Sequence, residues 1–384
     1  MRAMMALFST PDLKMVAGRP RPALAAIPEM WRRALSVPRV LRLKRATQVG
    51  TTPHDVVLTR GHFKLLRYKR ATPATYAEPM LFCYALVNRP YILDLQPDKS
   101  VVRRYLEQGF DVYMIDWGVP ADQDYHLTLE RYVCDFLSSA VAHVLKASRS
   151  TRLHLLGYCM GGTLATMFTA LHPELVKSIT LLASPIDFSG RETLLSVWSS
   201  ADTFDVDAFI DAHGNCPARF LQRCFQYIKP VQNLLEKKLG FVEHMTDNTF
   251  VINYFALEKW VNDNIPVAGE TFREFVKKLY QQNQLVRGEF QLGAKRIDLR
   301  RIECPLLLLT AKNDHLVAPA STEGIRACVS SKDIESLNSD CGHVGLVVSG
   351  KARKTVWPTA TRWLASRSTH TTSSAAHTLS EHNV

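Results

Sequence analysis

The sequence predicts an α/β fold in which a mostly parallel sheet carries helices on both faces. Short apolar runs of strand length alternate with segments of helical periodicity from about residue 56 onward, a pattern typical of parallel strands joined by helices. One long segment, residues 188–295, interrupts this alternation and is rich in aromatic residues. We interpret this segment as an inserted, largely helical cap; an ordinary second helical domain is the alternative.

The strand candidates begin with a hairpin and continue as runs bounded by turn residues. Residues 56–58 and 63–68 are β-like runs close enough to pair. Residues 80–86 end at an Asn-Arg-Pro loop signal, and residues 110–117 lie between two glycines. The remaining strand candidates are residues 153–156, 178–183, 306–310 and 333–337.

Two core helices are predicted between these strands. In residues 127–147, apolar side chains recur every three or four positions, so one helix face can pack on the sheet. Residues 163–171 are also helical in pattern and follow the strand candidate at 153–156. A cap inserted between two later strands of such a sheet usually covers an active site and controls access to it.

These elements divide the chain into five parts. A basic N-terminal extension, residues 1–50, is expected to be partly disordered. The core is then predicted in two pieces, residues 51–187 and 296–366, with the cap at 188–295 between them. The last segment, residues 367–384, is rich in Ser, Thr and His and is expected to be a disordered tail.

Positive charge is concentrated at the start of the chain. The formal net charge is +11, and residues 1–70 contain fifteen Lys or Arg against three Asp or Glu. A solvated tail, a mitochondrial transit peptide and attraction to an anionic partner or granule surface are all compatible with this composition. A nucleic-acid-binding arm is disfavoured because few aromatic residues are interleaved and no binding fold accompanies it.

Composition disfavours several other classes of protein. No run reaches the roughly 18 apolar residues that a membrane span requires, and Pro11, Asp12 and Lys14 interrupt any secretory signal. The eight cysteines include no CxxC pair, which indicates reduced thiols in the cytoplasm. Cys341 and His343 could begin a metal site, but a single pair lacks the further ligands, so we expect no metal.

The strongest chemical signal is Gly157-Tyr-Cys-Met-Gly-Gly162 between a strand and a helix. This is the nucleophile-elbow pattern with Cys159 in the usual serine position. Gly157, Gly161 and Gly162 are the elbow glycines, which allow backbone segments to approach closely. The helix N terminus would stabilise the thiolate. The alternative, that Cys159 is a small buried apolar residue, is disfavoured by the residues that accompany it.

An acid and a histidine follow Cys159 in the chain order expected for such a site. Asp314 lies four residues beyond the strand candidate at 306–310, and His343 follows the one at 333–337. Both are therefore expected at the carboxyl ends of strands, where ligands bind α/β sheets. His315 is the main rival to His343, although as the neighbour of Asp314 it should point elsewhere.

Two backbone N–H groups are expected to form the oxyanion hole. One is the N–H of Met160, and the other comes from the loop after residues 80–86, at Val87. A cysteine nucleophile also suits thioester substrates, because transfer of an acyl group between two thiols is almost isoenergetic. Acyl transfer is therefore a natural reaction here, and hydrolysis is not required.

Several motifs resemble those of the poly(3-hydroxyalkanoate) synthases, which belong to the α/β-hydrolase superfamily. The similarity runs from about residue 55 to residue 365 and is greatest to the class III catalytic subunit, which works with a second subunit. The motifs are Tyr84-Ala-Leu-Val-Asn-Arg-Pro-Tyr91, Asp111-Val-Tyr-Met-Ile-Asp-Trp-Gly118, Gly157-Tyr-Cys-Met-Gly-Gly162, Glu258-Lys-Trp260, Ala268-Gly-Glu-Thr-Phe272, Asp314-His-Leu-Val317, Gly342-His-Val-Gly345 and Val348-Ser-Gly-Lys351.

The resemblance implies an acyltransferase that grows a polyester on Cys159 from (R)-3-hydroxyacyl-CoA and releases CoA. His343 would deprotonate Cys159, and Asp314, through His343 or directly, would help activate the hydroxyl that attacks the next acyl group. No metal or organic cofactor is implied. A second synthase subunit, a homodimer or hetero-oligomer, and a cytoplasmic location at polyester granules are expected.

The sequence departs from the family in two places. Asp340-Cys341-Gly342 stands where the family usually has Pro-Gly-Gly, and the first fifty residues do not match the usual start. The alternative function is that of a cysteine-nucleophile hydrolase: a thioesterase, lactone hydrolase or depolymerase. A granule-surface or nucleic-acid-binding protein without activity is disfavoured, because Cys159, Asp314 and His343 are all present.

Overall fold

A computed structural model describes residues 23–228 and 237–371, and its main feature is a large sheet. The strands are β1 (His54–Arg60), β2 (Phe63–Tyr68), β3 (Met80–Cys83), β4 (Val112–Asp116), β5 (Leu153–Tyr158), β6 (Val176–Leu182), β7 (Gln291–Leu292), β8 (Lys295–Arg296), β9 (Leu306–Ala311) and β10 (Ile334–Ser339). Eight of them form one sheet in the order β1-β2-β4-β3-β5-β6-β9-β10, and β7 pairs with β8 alone.

Most of the sheet is parallel, so the predicted fold class is confirmed. β4, β3, β5, β6, β9 and β10 run in one direction; β2 runs opposite to them, and β1, antiparallel to β2, again shares their direction. β5 and β9 are buried along their whole length, because helices cover both faces of the sheet. This is why their sequences are almost continuously apolar rather than alternating.

Helices follow most of the parallel strands. The helices are α1 (Ala23–Ala46), α2 (Val101–Glu107), α3 (Ser138–Ser148), α4 (Met160–Leu171), α5 (Leu194–Trp198), α6 (Val206–His213), α7 (Ala218–Ile228), α8 (Lys237–His244), α9 (Asn248–Asn262), α10 (Gly269–Glu274), α11 (Pro319–Glu323), α12 (Gly345–Val348) and α13 (Trp357–Ala365). The helix predicted at residues 127–147 is present as the π-helical turn Arg131–Leu137 followed by α3.

The predicted strand at residues 80–86 is shorter in the structure. β3 ends at Cys83, and Tyr84, Ala85 and Leu86 continue as a buried loop. These residues pass against the start of α4, where a Cβ on Gly161 would lie 2.5 Å from the Tyr84 carbonyl oxygen. Apolarity alone predicted the whole run as a strand, because a buried loop can be as apolar as a buried strand.

Helices occupy most of the described chain between β6 and β9, where the cap was predicted. Phe188, Trp260 and Phe275 belong to the same apolar core as the sheet. A second cluster lies within the cap itself and contains Val206 and Ile210. The cap therefore combines a layer that packs on the sheet with a small core of its own.

Both ends of the described chain pack against the body of the protein. In the N-terminal extension, α1 contacts α9 of the cap. Residues 367–371, predicted to be disordered, lie beside the sheet instead, with His370 bridged to Tyr76. The rest of the two predicted disordered segments, residues 1–22 and 372–384, lies outside the described residues. In the described part of the chain, no helix is long and apolar enough to cross a membrane.

Candidate active site

Cys159 is the single residue between β5, which ends at Tyr158, and α4, which begins at Met160. Its backbone has φ 55° and ψ −131°, a strained conformation for a residue with a side chain. Its N–H donates to the Leu182 carbonyl at 2.9 Å, and its carbonyl accepts the Gly162 N–H at 2.8 Å. These two bonds hold the turn and leave the sulfur at the N terminus of α4.

The predicted elbow glycines lie where a larger residue would collide. A Cβ on Gly161 would lie 2.2 Å from the Cys83 carbonyl oxygen, and one on Gly157 would lie 2.3 Å from the Gly162 Cα. A Cβ on Gly162 would lie 1.8 Å from the Ser184 Oγ. The first two contacts are with backbone, so no side-chain movement can relieve them.

Asp314 lies in the loop after β9, and the structure encloses its carboxylate completely. Oδ1 accepts the N–H groups of Leu316 and Val317 at 2.8 and 2.9 Å. Oδ2 accepts the Nδ1–H of His343 at 2.7 Å, and the Asp314 side chain is 0% exposed. Both oxygens therefore have partners, and the carboxylate is directed at His343.

His343 follows β10 and lies between Asp314 and Cys159, to both of which it hydrogen-bonds. Burial by itself lowers the pKa of His343, but the negative charges of Asp314 and Cys159 outweigh burial and raise the pKa to about 10. The imidazole also stacks on the Tyr158 ring, with centroids 5.1 Å apart and planes at 24°. The imidazole is therefore held between the Asp314 carboxylate and the Cys159 sulfur.

The loop before His343 is tied to the loop that carries Asp314. The N–H of Asn313 donates to the Cys341 carbonyl at 3.0 Å, and its side-chain amide donates to Asp340 at 3.1 Å. Burial raises the pKa of the Cys341 thiol, which makes it a weak nucleophile near neutral pH. The rival histidine, His315, is exposed, whereas His343 is buried.

Residues 84–89 join β3 to the 3-10 helix Pro90–Leu93 and are here called the oxyanion loop, because the predicted oxyanion-hole residue Val87 belongs to them. The indole N–H of Trp117 donates to the Tyr84 carbonyl at 2.7 Å, and that of Trp260 donates to the Arg89 carbonyl at 2.8 Å. Val87 lies in this loop. Met160 is the first residue of α4, so its N–H has no acceptor within the helix.

Three tyrosines that the sequence reasoning did not single out surround Cys159. Burial, together with the negative charge of Cys159, raises the pKa of Tyr84, Tyr158 and Tyr280. Tyr84 and Tyr158 stand in the motifs quoted above and could have been flagged there. Tyr280 comes from the cap and carries no local signal, since only folding brings it to the site.

A cleft of about 90 Å³ separates the Asp314 loop from the cap. Leu316 and Val317 line it on the core side, and Phe188 and Tyr280 line it on the cap side. Ligand pockets commonly enclose about 300 Å³ or more, so this cleft is small for an acyl-CoA. Within the described residues, no group of three or more His, Cys, Asp or Glu side chains could hold a metal ion.

Comparison with known families gives two matches within the chain. The α/β-hydrolase fold model matches residues 78–349, and the model described as poly-beta-hydroxybutyrate polymerase (PhaC) N-terminus matches residues 41–106. Among solved structures, a lipase-like crystal structure from Sulfolobus solfataricus superposes with a TM-score of 0.51 at 14% identity, covering 82% of this chain and 93% of that one. This likeness supports the fold alone.

Sequence relatives are more informative. The chain is 42% identical over 320 residues to a poly(3-hydroxyalkanoate) polymerase subunit PhaC from Haloferax mediterranei, covering 83% of this chain and 65% of the relative. It is 38% identical over 324 residues to the subunit of the same name from Allochromatium vinosum, covering 84% of this chain and 91% of the relative.

Proposed function

The chain belongs to the poly(3-hydroxyalkanoate) polymerase family, and we propose that it polymerises (R)-3-hydroxyacyl-CoA on Cys159 with His343 as the base. Members of this family are acyltransferases. The observation that carries the proposal for the site is the position of His343, which hydrogen-bonds both Asp314 and the Cys159 thiol at the end of β5.

In the loading step, the Cys159 sulfur attacks the thioester carbonyl of the acyl-CoA. His343 accepts the thiol proton, and the negative charge on the carbonyl oxygen would be stabilised by the N–H groups of Met160 and Val87. The carbon–sulfur bond to CoA then breaks, and the departing CoA sulfur takes the proton from His343. The products are free CoA and a thioester on Cys159.

In the elongation step, the hydroxyl of an incoming 3-hydroxyacyl group attacks the thioester on Cys159. His343 removes the hydroxyl proton, an ester bond forms between the chain and the incoming acyl-CoA, and the Cys159 sulfur leaves and recovers the proton. The lengthened chain is then a thioester of CoA, so repetition of the loading step returns it to Cys159 and releases CoA. The enclosure of Asp314 supports a role through His343 rather than direct contact with the hydroxyl, because both carboxylate oxygens already have partners.

The test is to incubate the protein with 3-hydroxybutyryl-CoA and follow both free CoA and insoluble polyester. We expect CoA release to accompany polyester, with the acyl group found on Cys159 by mass spectrometry. Release of CoA with free hydroxy acid and no polyester would instead identify a cysteine-nucleophile hydrolase.

We also infer that a second subunit favours the open form of the cap. The relatives are named as subunits, and the cleft of about 90 Å³ between the Asp314 loop and the cap is small for an acyl-CoA. A partner that binds the open form shifts the population by its difference in affinity for the two forms. We expect a lag that a class III partner subunit removes. Full activity without a lag, unchanged by that subunit, would overturn this inference.

Assembly and location belong to the same proposal. We expect a homodimer or a hetero-oligomer that works in the cytoplasm at the surface of polyester granules. The exposed Arg45 of α1 is available for an acidic partner surface, and salt should weaken such a contact. Cell fractionation with a tagged chain tests the location, since a soluble chain in polyester-containing cells would contradict it.

A further inference from the structure

The N-terminal helix α1 is fastened to the cap by three kinds of contact. Val40 of α1 lies with Met245 and Val251 in a small apolar cluster, against which Leu43, Phe241 and Phe255 pack. The guanidinium of Arg39 donates to the carbonyls of Met245 and Thr246 at 2.9 and 3.0 Å. The Lys44 ammonium lies over the Phe255 ring, 5.5 Å from its centroid.

The Arg39 contacts lie at the turn between α8 and α9. α8 ends at His244, and Asp247 caps the N terminus of α9 by accepting the N–H groups of Thr249 and Phe250. The carbonyls of Met245 and Thr246 lie within this turn. A planar guanidinium can bind two adjacent carbonyls at once, so Arg39 fixes where α9 begins.

The other end of α9 is fastened to the oxyanion loop. The Trp260 indole donates to the Arg89 carbonyl at 2.8 Å and also hydrogen-bonds the Tyr84 hydroxyl. Just beyond α9, Asp263 accepts the Tyr91 hydroxyl at 3.0 Å and lies 3.6 Å from the Arg89 guanidinium. α9 has 15 residues and thus spans about 22 Å between these two attachments.

We propose that α1 is a positioning element for the acylation site, which acts through α9 on the oxyanion loop. Arg39 and Val40 hold the start of α9, and Trp260 transmits that position to the segment that contains Val87. The inference rests on the proposed acyl loading of Cys159. It adds that a helix remote in sequence from the catalytic residues sets the geometry of the loop beside them.

The physical reason is that one attachment leaves a helix free to pivot, whereas two attachments define its position. If α1 detaches, the start of α9 loses the Arg39 hydrogen bonds and the contact with Val40, and keeps its packing against α8. A displacement of about 1 Å at a reacting centre can cost on the order of 100-fold in rate. Mutations remote from a site typically change coupling by a smaller amount, equivalent to about two- to thirtyfold.

The first test compares Arg39→Ala with Arg42→Ala, which removes the same charge from an exposed position of the same helix. Loading of Cys159 from 3-hydroxybutyryl-CoA is followed by rapid quench and mass spectrometry. We expect the loading rate constant to fall about tenfold in Arg39→Ala, with little change in the acyl-CoA concentration for half-saturation. Arg42→Ala should load like the unaltered chain.

Hydrogen exchange provides a readout that does not depend on activity. In Arg39→Ala, amides of α9 and of residues 84–93 should exchange faster, while amides of β9 should be unchanged. Unchanged exchange in residues 84–93, with loading equal to that of Arg42→Ala, would overturn the proposal. If neither the unaltered chain nor Arg42→Ala loads Cys159, the proposed function fails instead, so the two failures are distinguishable.

A double-mutant cycle with Trp260→Phe tests the route through α9. If α1 acts through Trp260, the loading defect of the double variant should be close to that of the worse single variant, because both changes interrupt one connection. Multiplicative defects would show that Arg39 and Trp260 act independently and would overturn the route. Thermal unfolding of all four proteins checks that each remains folded at the assay temperature.

Discussion

One buried histidine lies at each end of β5, and the environments of the two differ. At the carboxyl end, His343 lies between Asp314 and Cys159, whose negative charges raise its pKa to about 10. At the amino end, His154 of β5 hydrogen-bonds the hydroxyls of Ser178 and Ser368 at 2.8 and 2.9 Å.

Burial dominates at the amino end and lowers the pKa of His154 to about 4. The nearby Glu78 carboxylate, which raises the pKa, is opposed by Lys177, whose ammonium lies 3.6 Å from it. Similar burial therefore yields opposite protonation states, because His343 has anionic neighbours and His154 has hydroxyls. The comparison shows that the carboxyl edge of the sheet is built to hold charge, and the amino edge to attach residues 367–371.

The largest effect expected at the carboxyl edge is loss of the nucleophile. Cys159→Ala should reduce CoA release by several orders of magnitude, because a catalytic unit without its nucleophile retains only binding contributions. Cys341→Ala, which removes a neighbouring thiol whose pKa burial raises, should retain most activity. Steady-state CoA release measures both variants, and an acyl adduct on Cys341 would contradict the assignment of Cys159.

The next largest effect should distinguish the role of His343 from that of Asp314. His343→Ala removes the base, so no acyl-enzyme should form. Asp314→Asn should still load Cys159, because a thiol is far more acidic than an alcohol, but it should elongate about 10³- to 10⁴-fold more slowly. Single-turnover loading and polymer yield measure the two steps. Equal loss of loading in both variants would mean that Asp314 serves only to orient His343.

At the amino end of β5, protonation of His154 should change the free energy of unfolding rather than the rate of CoA release. The lowered pKa means that the folded state resists protonation of His154, so its contribution to stability is present above pH 6.5 and is lost as the pH falls toward 4. Between pH 7 and pH 4.5 this loss should amount to about 2 kcal/mol. Urea unfolding at pH 7 and pH 4.5 should show it in the unaltered chain and not in His154→Gln. An equal pH dependence in both proteins would contradict the prediction.

The smallest expected effect is a change in the pKa of His343 that leaves the pKa of His154 unchanged. Cys159→Ala removes one of the two negative charges beside His343, so the pKa of His343 should fall. His154 lies at the other end of β5 and should titrate as before. NMR titration of labelled histidine rings measures both residues in one sample. An unchanged His343 would show that Asp314 alone sets its pKa.

The local sequence was enough to predict the proposed catalytic residues, because each follows a strand of a parallel sheet. Gly157-Tyr-Cys-Met-Gly-Gly162 predicted the turn after β5, and the structure has Cys159 at positive φ there. Asp314 and His343 could be placed in loops after β9 and β10 from the two strand candidates that precede them and from their order in the chain. Such features are predictable since glycine spacing and strand periodicity act over a few neighbouring residues.

The sequence by itself thus determined the α/β class, the elbow and the chain order of Cys159, Asp314 and His343. Only the tertiary structure decided that Asp314 is enclosed, that Tyr158 stacks on His343 and that Tyr280 reaches the site from the cap. The tertiary structure also decided how α1 packs, which the sequence predicted only as a basic extension. It likewise decided the position of residues 367–371, which the sequence predicted as part of a disordered tail. Each of these contacts joins residues far apart in the chain, and no local pattern encodes which distant surface will bury an apolar side chain or pair a charge.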